Sequence, residues 1–238
     1  MALFEIINGE AVIPYGTRVL HSGAFCDCNE LEKVVIPDTV LKIETRAFQG
    51  CPNLKEIFIP CTVSVIEVGA FGYCPIVESI VVDEENPRYD SREACNAIII
   101  TEKNSILFGC RNTLDNIPIS VKRIEKEAFA GGSCTHKLIL PRNIKNIGVG
   151  AFRDVQGLGV AIIDSSSIKA IPERTFARCS HLWEIYFWGD NVTKIDESAF
   201  DGVDLKNIKV PHGKVEQYRE VLPERFLNTI TEEPALNN

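Results

Sequence analysis

The residues best suited to chemistry in this 238-residue chain are its nine cysteines, and several of them follow a fixed spacing. Four cysteines lie three residues after a phenylalanine: Cys28, Cys51, Cys74 and Cys179. The corresponding residues elsewhere in the chain are Gly132, Val155 and Val203. A position that accepts Cys, Val or Gly requires a small apolar side chain rather than a nucleophile or a metal ligand. We therefore expect these four thiols to be buried and structural.

Another pair of cysteines flanks a predicted hairpin. The runs NAIII and NSILFG are separated by a short polar segment, which is typical of two antiparallel strands. If the turn is centred between Glu102 and Lys103, Cys95 and Cys110 face each other, and facing strand residues can come within reach of a disulfide. Two interpretations remain open for this pair: a disulfide, and two reduced thiols packed in the interior, as is usual in the cytosol.

No other pattern assembles a catalytic or metal site. Cys26 and Cys28 are one residue too close for a C-x-x-C redox or zinc motif. The four histidines occupy different positions, and the chain lacks G-x-S-x-G, Walker and G-x-G-x-x-G motifs. The acidic run at Asp83–Glu85 lacks the spacing of a calcium loop, and we interpret it as a solvated turn. We expect no enzyme activity, no cofactor and no metal.

Composition and charge restrict the classes of partner. The net charge of −8 disfavours nucleic acid, because phosphate binding requires a basic surface. No apolar run reaches the roughly 18 residues that cross a bilayer, so no membrane insertion is expected. The N-terminal segment lacks the basic and apolar regions of a signal peptide. We therefore expect a cytoplasmic protein if Met1 is the native start, and a cell-surface or secreted protein if an export signal was removed.

The cysteine spacing belongs to a repeat that runs through the chain. Ala-Phe or Thr-Phe pairs recur every 23 or 24 residues, except for one interval of 58 residues. The repeated phenylalanines are Phe25, Phe48, Phe71, Phe129, Phe152, Phe176 and Phe200. The long interval corresponds to one unit plus an irregular element of about 35 residues. Because one unit cannot bury its apolar side alone, successive units are expected to stack as turns of a coil.

Each unit supplies a strand and a tight turn. The segment LKEIFIP (54–60) has the alternation of a strand, and its proline ends the hydrogen bonding. The segment ETRAFQGC is too short for a full helix, and we interpret it as a turn of α- or 3₁₀-helix that inserts phenylalanine into the core. The predicted fold class is a mainly β leucine-rich repeat solenoid, with a parallel sheet on one face, short turns on the other, one irregular hairpin insert and capped ends.

A single domain is expected over residues 1–238. Asn8-Gly9 is a hairpin turn signal, and Val215, Tyr218 and Leu222 have helical spacing, so both ends are interpreted as caps. The expected parts are an N-terminal cap hairpin at 1–12, repeats at 13–81, an irregular hairpin insert at 82–116, repeats at 117–210 and a C-terminal cap at 211–238.

The repeated unit, I-P-x-x-V-x-x-I-x-x-x-A-F-x-x-C-x-x-L-x-x-I-x-I-P, resembles the BspA-like leucine-rich repeats, a bacterial surface-type family. The insert, with its runs NPRYDSR and CNAII, resembles the irregular segment of that family, and VPHGKVEQYREVLP (210–223) resembles its closing element. The resemblance implies surface adhesion or protein binding. Members of the family are typically exported, and this chain departs from them because it shows no export signal.

Strand alternation predicts which side chains face solvent. The column eight residues after each phenylalanine is mostly polar: Lys33, Glu56, Ser79, Lys137, Val160 and Glu184. The column ten residues after each phenylalanine is almost wholly apolar: Val35, Phe58, Val81, Ile139, Ile162 and Tyr186. This apolar column is either a binding stripe or the ordinary preference of parallel strands for β-branched residues. Trp183 and Trp188 flank Tyr186. This aromatic cluster is either an interaction hot spot or simple packing near the C-terminal cap.

The favoured function is a non-catalytic, adhesion-type module that presents its sheet to a protein or glycan partner. The alternative is a self-associating structural protein or cytoplasmic scaffold that uses the same stripe. An enzyme would require a constellation of polar residues in a pocket, which no motif supports.

Overall fold

The chain winds into a solenoid. Its coils contribute strands to two sides of the solenoid and form a tight turn at each repeated phenylalanine. The protein is described here by a computed structural model, which covers residues 4–164, 167–189 and 191–233. The expected caps and repeats extend beyond this range at 1–3, 165–166, 190 and 234–238, which lie outside the described residues. The predicted mainly β leucine-rich repeat solenoid is confirmed, because successive units pair in parallel and in register.

The longer strand of each unit belongs to one of two five-stranded sheets. The first long sheet contains Glu5–Ile7, Glu10–Val12, Lys33–Val35, Glu56–Ile59 and Ser79–Val82. The second long sheet contains Lys137–Leu140, Val160–Ile163, Glu184–Phe187, Asn207–Val210 and Ile230–Glu232. Every pair in these sheets is parallel except the first hairpin, and equivalent residues of successive units face each other.

The short, two-residue strands of the repeats form further sheets, and one of these sheets also includes strands of the insert. A three-stranded sheet contains Val19–Leu20, Lys42–Ile43 and Val65–Ile66. A five-stranded sheet contains Asn146–Ile147, Arg123–Ile124, Ser105–Gly109, Ala97–Ile100 and Tyr89–Asp90. A two-stranded sheet contains Ala170–Ile171 and Lys194–Ile195.

The helices are all short. The α-helices are Arg111–Leu114 and Val215–Val221, and the 3₁₀ segments are Arg92–Ala94, Glu197–Phe200 and Glu224–Thr229. Most Ala-Phe segments form hydrogen-bonded turns instead of the helical turn expected from sequence, and one of them, Glu197–Phe200, is a 3₁₀ helix. Within the described part of the chain, no helix has the length and apolar character needed to cross a bilayer.

The repeated phenylalanines form interior columns of stacked rings. The ring centroids of Phe25 and Phe48 are 5.0 Å apart, as are those of Phe48 and Phe71, with interplanar angles of 6° and 0°. In the second column, Phe129, Phe152, Phe176 and Phe200 follow at 5.3, 5.5 and 5.6 Å. Neighbouring turns are also joined through the backbone, since the N–H of Phe25 donates to the carbonyl of Ala47 at 2.7 Å. Burial of each such side chain stabilises the fold by about 1.5–3 kcal/mol.

The insert lies where the first long sheet ends. Its hairpin pairs Ala97–Ile100 with Ser105–Gly109, and the second of these strands pairs in parallel with Arg123–Ile124, where regular stacking resumes. Phe108 of the hairpin extends the first phenylalanine column, with its ring centroid 5.6 Å from that of Phe71. Gly109 is required by close packing, because a Cβ atom there would lie 2.4 Å from the ring of Phe129.

Tyr73 joins the repeats that precede the insert to those that follow it. Its N–H donates to the carbonyl of Ala130 at 2.8 Å, so the phenylalanine turns on the two sides of the insert are direct neighbours. The Tyr73 ring packs directly over Gly131, where a Cβ atom would lie 2.3 Å from the ring. The Tyr73 hydroxyl donates to Oδ2 of Asp154 at 2.6 Å and accepts a hydrogen bond from Nη2 of Arg153.

Both ends of the solenoid are covered. At the N-terminus, Asn8 and Gly9 have φ of 50° and 80° and form the turn of an antiparallel hairpin. At the C-terminus, Tyr218 of the helix Val215–Val221 is fully buried, with its ring 4.9 Å from that of Phe187 and its hydroxyl donating to the carbonyl of Gly189. These contacts replace the next unit of the stack and keep the apolar interior from water.

We predict that Tyr73→Phe lowers the free energy of unfolding by about 1–2 kcal/mol, because it removes the hydroxyl from the partly buried Arg153 and Asp154. Urea denaturation followed by circular dichroism measures this loss. The control is Tyr15→Phe, since Tyr15 is 80% exposed, and this change is expected to stay within about 0.5 kcal/mol of wild type. Equal effects of the two substitutions would contradict a bridging role for Tyr73.

Candidate binding face

The outer face of the first long sheet carries an exposed apolar stripe. Val35, Phe58 and Val81 face one another in register and are 45%, 40% and 46% exposed, respectively. Val12 lies at the end of the neighbouring strand and is also exposed. The alternate side chains of the same strands, such as Ile57, are buried in the core. We refer to Val12, Val35, Phe58 and Val81 as the apolar stripe.

A charged column runs beside the apolar stripe. Lys33, Glu56 and Ser79 face one another across the strands, and Nζ of Lys33 lies 3.6 Å from Oε2 of Glu56. One residue before each of these strands, Nζ of Lys55 lies 2.8 Å from Oε2 of Glu32, and this pairing raises the pKa of Lys55. Because these groups are exposed, the pairs contribute little to stability. They place charges of both signs along one margin of the stripe.

The second long sheet does not continue the stripe as the sequence predicts. Ile139 is exposed, but Ile162 is only 3% exposed, and Tyr186 is half-buried. Ile162 lies in an inner strand, with Ile139 on one neighbouring strand and the larger side chain of Tyr186 on the other. The column from Val35 to Tyr186 is therefore not one continuous surface.

The polar column also changes character in the second long sheet. Lys137 is exposed, as expected, and Val160 is half-buried. Glu184 is only 8% exposed, contrary to the expectation of a solvent-facing carboxylate. Burial raises the pKa of Tyr186, and a hydrogen bond to Glu184 raises it further. The buried Glu184 side chain is therefore hydrogen-bonded to Tyr186 and does not present a charge at the surface.

The two tryptophans remain candidates for contact with a partner. Trp183 precedes the strand Glu184–Phe187 and Trp188 follows it, and both are exposed. The rings of Tyr186 and Trp188 meet edge to face, with centroids 6.5 Å apart and an interplanar angle of 76°. The strand end therefore presents an aromatic pair, which is separate from the apolar stripe of the first long sheet.

The insert separates the two long sheets by closing the edge of the first. Asn96 Oδ1 accepts from the N–H of Ile80 at 3.4 Å, and Ser91 Oγ accepts from the N–H of Val82 at 3.0 Å. Asn112 Nδ2 donates to the carbonyl of Glu78 at 2.8 Å. These side chains satisfy backbone groups that a next strand would otherwise pair. On the other side of the insert, a cleft of about 410 Å³ opens beside Lys137 and Ile139.

The structure does not place Cys95 and Cys110 opposite each other in the hairpin. The predicted register holds at Ile99–Ile106, but a bulge between Ile98 and Ile99 shifts it, so that Ala97 faces Gly109. Both cysteines lie outside the two strands, and all nine cysteines of the chain are free thiols. The predicted facing of Cys95 and Cys110 was wrong because it assumed one uninterrupted register along the hairpin, without a bulge.

The cysteine column has a bonding role that the sequence pattern did not show. The thiols of Cys51, Cys74 and Cys179 donate to the carbonyls of Phe25, Phe48 and Phe152, respectively, at 3.0–3.1 Å. Each thiol thus bonds to the phenylalanine of the preceding unit. Burial raises the pKa of Cys179 to about 12. The Cys179 thiol is therefore held in the protonated, unreactive form. Cys28 departs from the expectation for this column, because its thiol is only half-buried.

Groups of potential metal ligands are sparse in the described part of the chain. Among the described residues, one group of three potential ligands lies together: Cys61, Asp83 and Glu85, with ligand atoms within 4.8 Å of one another. Oδ1 of Asp83 accepts from the N–H of Glu85 at 2.9 Å, which is the bonding of an ordinary acidic turn. His21 and His212 form surface pairs with Glu44 and Glu232, at opposite ends of the chain.

The sequence matches the family described as BspA type leucine rich repeat region, with six copies over residues 8–101 and 101–221. No curated protein matches the chain significantly in sequence.

Solved structures share the fold. The chain is similar to a leucine rich cell surface protein from Faecalibacterium prausnitzii A2-165, with 29% identity and a TM-score of 0.72, over 94% of this chain and 59% of that one. It is also similar to the pneumococcal vaccine antigen PcpA, with 17% identity and a TM-score of 0.51, over 92% and 66% of the two chains. A leucine-rich repeat protein from Eubacterium ventriosum ATCC 27560 has 14% identity and a TM-score of 0.51, over 97% and 85%. The last two likenesses show the fold alone, and the chain spans less than two thirds of the first two proteins.

We predict that iodoacetamide separates the cysteines of the native protein into two classes. Cys26 and Cys61 are partly exposed and are expected to react first, whereas Cys51, Cys74 and Cys179 react only as fast as the fold opens. Peptide mapping by mass spectrometry after timed alkylation measures each rate. Denaturant is expected to make all nine thiols reactive. Native labelling of Cys179 as rapid as that of Cys61 would contradict the buried thiol–carbonyl bonds.

Proposed function

The chain belongs to the family of BspA-type leucine-rich repeat proteins, and on that premise we propose that it is a non-catalytic binding module whose apolar stripe docks on a protein partner. The observation that carries the proposal is the exposure of Val35, Phe58 and Val81, each at least 40%, in a single register on a rigid sheet. Exposed apolar surface of this regularity is costly in water and often marks an interaction site.

The surroundings of the apolar stripe favour recognition over reaction. The flanking charges, Lys33 with Glu56 and Lys55 with Glu32, already pair with one another at the surface. Mixed charges around an apolar centre resemble the polar rim of a protein–protein interface, where they select partners and orient them. The stripe is mainly aliphatic, which suits a protein surface better than the aromatic platform on which sugars stack.

We propose a position at the cell surface or in the secreted fraction. The support is the likeness to a protein described as a leucine rich cell surface protein, over 94% of this chain. The chain covers 59% of that protein.

Site-specific photo-crosslinking tests the proposal. A benzophenone amino acid replaces Phe58 in one variant and Val65 in the control, since Val65 is 41% exposed but lies in the short-strand sheet. Each variant is irradiated with a cell-surface protein extract, with and without excess unlabelled wild-type protein. We expect a protease-sensitive adduct at position 58 that the wild-type protein competes away, and little adduct at position 65.

The same experiment separates the alternatives. Equal adducts at both positions, or none at position 58, would contradict the proposed binding face. An adduct at position 58 with the mass of two copies of this chain would favour self-association instead, and light scattering over a range of concentrations would then show growth in mass. An adduct that glycosidases remove and proteases do not would identify a glycan partner.

A further inference from the structure

A cleft with an unusual concentration of arginine lies on the phenylalanine-turn side of the second half of the solenoid. It has a volume of about 310 Å³ and is lined by Arg153, Arg174, Ala177, Arg178 and Asp201. Three of the five lining residues are therefore cationic, in a chain whose net charge is −8. This cleft is separate from the apolar stripe and from every residue of the proposed binding face.

Stacking of the repeats brings the three arginines together. Arg153 follows Phe152, whereas Arg174 and Arg178 lie two residues before and two residues after Phe176. The rings of these phenylalanines are 5.5 Å apart, and the N–H of Asp154 donates to the carbonyl of Ala177 at 2.9 Å. Side chains that project from adjacent turns at nearby positions must therefore share one patch of surface.

Two of the three guanidinium groups are held in place by a shared acceptor. Nη2 of Arg178 donates to Oδ2 of Asp154 at 2.6 Å, and Tyr73 donates to the same oxygen at 2.6 Å. Nη2 of Arg153 donates to the Tyr73 hydroxyl, and Nε of Arg153 lies 3.4 Å from Oδ2 of Asp154. A guanidinium has five N–H donors, so each arginine keeps donors that this network does not use. Fixing the groups in advance lowers the entropy lost on binding.

The charges around the cleft do not cancel. Asp201 lines the cleft and pairs with Arg225 at 3.8 Å, and Asp154 pairs with Arg178 and Arg153. Arg174 is exposed, and among the described residues its side chain forms no ion pair. Among these six residues, four arginines meet two aspartates, and Arg174 is the arginine without an aspartate partner.

We propose that this cleft is a subsite for an oxyanion, which Arg174 binds together with the free donors of Arg153 and Arg178. Sulfate, phosphate and carboxylate groups share the chemistry required, since planar guanidinium groups donate paired hydrogen bonds to such oxygens. The volume of about 310 Å³ accommodates one such group together with the first atoms of the molecule that carries it.

Isothermal titration with sodium sulfate, sodium phosphate and sodium acetate, at constant ionic strength set by chloride, tests the proposal. We expect saturable binding by wild type and about tenfold weaker binding by Arg174→Gln. Asp201→Asn is expected to tighten binding, because it removes the acidic group that faces the ligand. Unchanged melting temperatures show that the variants remain folded.

Arg46→Gln is the matched control. Arg46 lies two residues before Phe48, as Arg174 lies two residues before Phe176, and both have left-handed backbone, with φ of 60° and 52°. The control is expected to bind sulfate like wild type. Equal weakening by Arg46→Gln and Arg174→Gln, or no binding of any of the three ions to wild type, would overturn the proposal. The ranking of the ions identifies the source, since preference for sulfate indicates a sulfate ester and preference for acetate an acidic sugar or peptide.

Discussion

The fold depends on one constraint: each phenylalanine turn must stack directly on the next, at the spacing of adjacent parallel strands. Ring centroids in the first column are 5.0 Å apart, close to the strand spacing of about 4.8 Å, so rings and backbone share one repeat. An aromatic ring that meets its equivalent at this distance leaves no gap to be filled by water or by other side chains. The thiol of Cys51 adds a bond to the carbonyl of Phe25, and this ties neighbouring units together on the same side.

The insert interrupts the 23-residue repeat and ends the first long sheet. Because the hairpin supplies Phe108 to the first column, the phenylalanine side continues while the long sheet stops at Val82. Side chains of Ser91 and Asn96 then occupy the backbone donors of the last strand, which protects an edge that could otherwise pair with another chain. The molecule consequently has two long sheets and two distinct outer faces, and only the first presents a regular apolar stripe.

The sequence predicted much of this, because a 23-residue period specifies which residues share a column. The buried phenylalanines and the outward direction of Val35, Phe58 and Val81 follow from period and alternation alone. Ile162 and Glu184 could not be assigned in this way, because their burial depends on the side chains of neighbouring strands. The bulge at Ile98 and Ile99, and the arginine cleft, were likewise missed. A signal for the turn geometry does exist: the residue two after each repeated phenylalanine has positive φ, and it is glycine in three units.

The most direct measurement is a double-mutant cycle on adjacent rings of the column. Phe48→Leu, Phe71→Leu and the double variant are compared by urea denaturation, with Phe48→Leu and Phe152→Leu as a pair from separate columns. In-register stacking predicts a coupling energy of about 0.5–1.5 kcal/mol for Phe48 with Phe71, and additivity for the distant pair. Additive effects for Phe48 and Phe71 would show that the rings do not share a column, and would contradict the stacked-coil architecture.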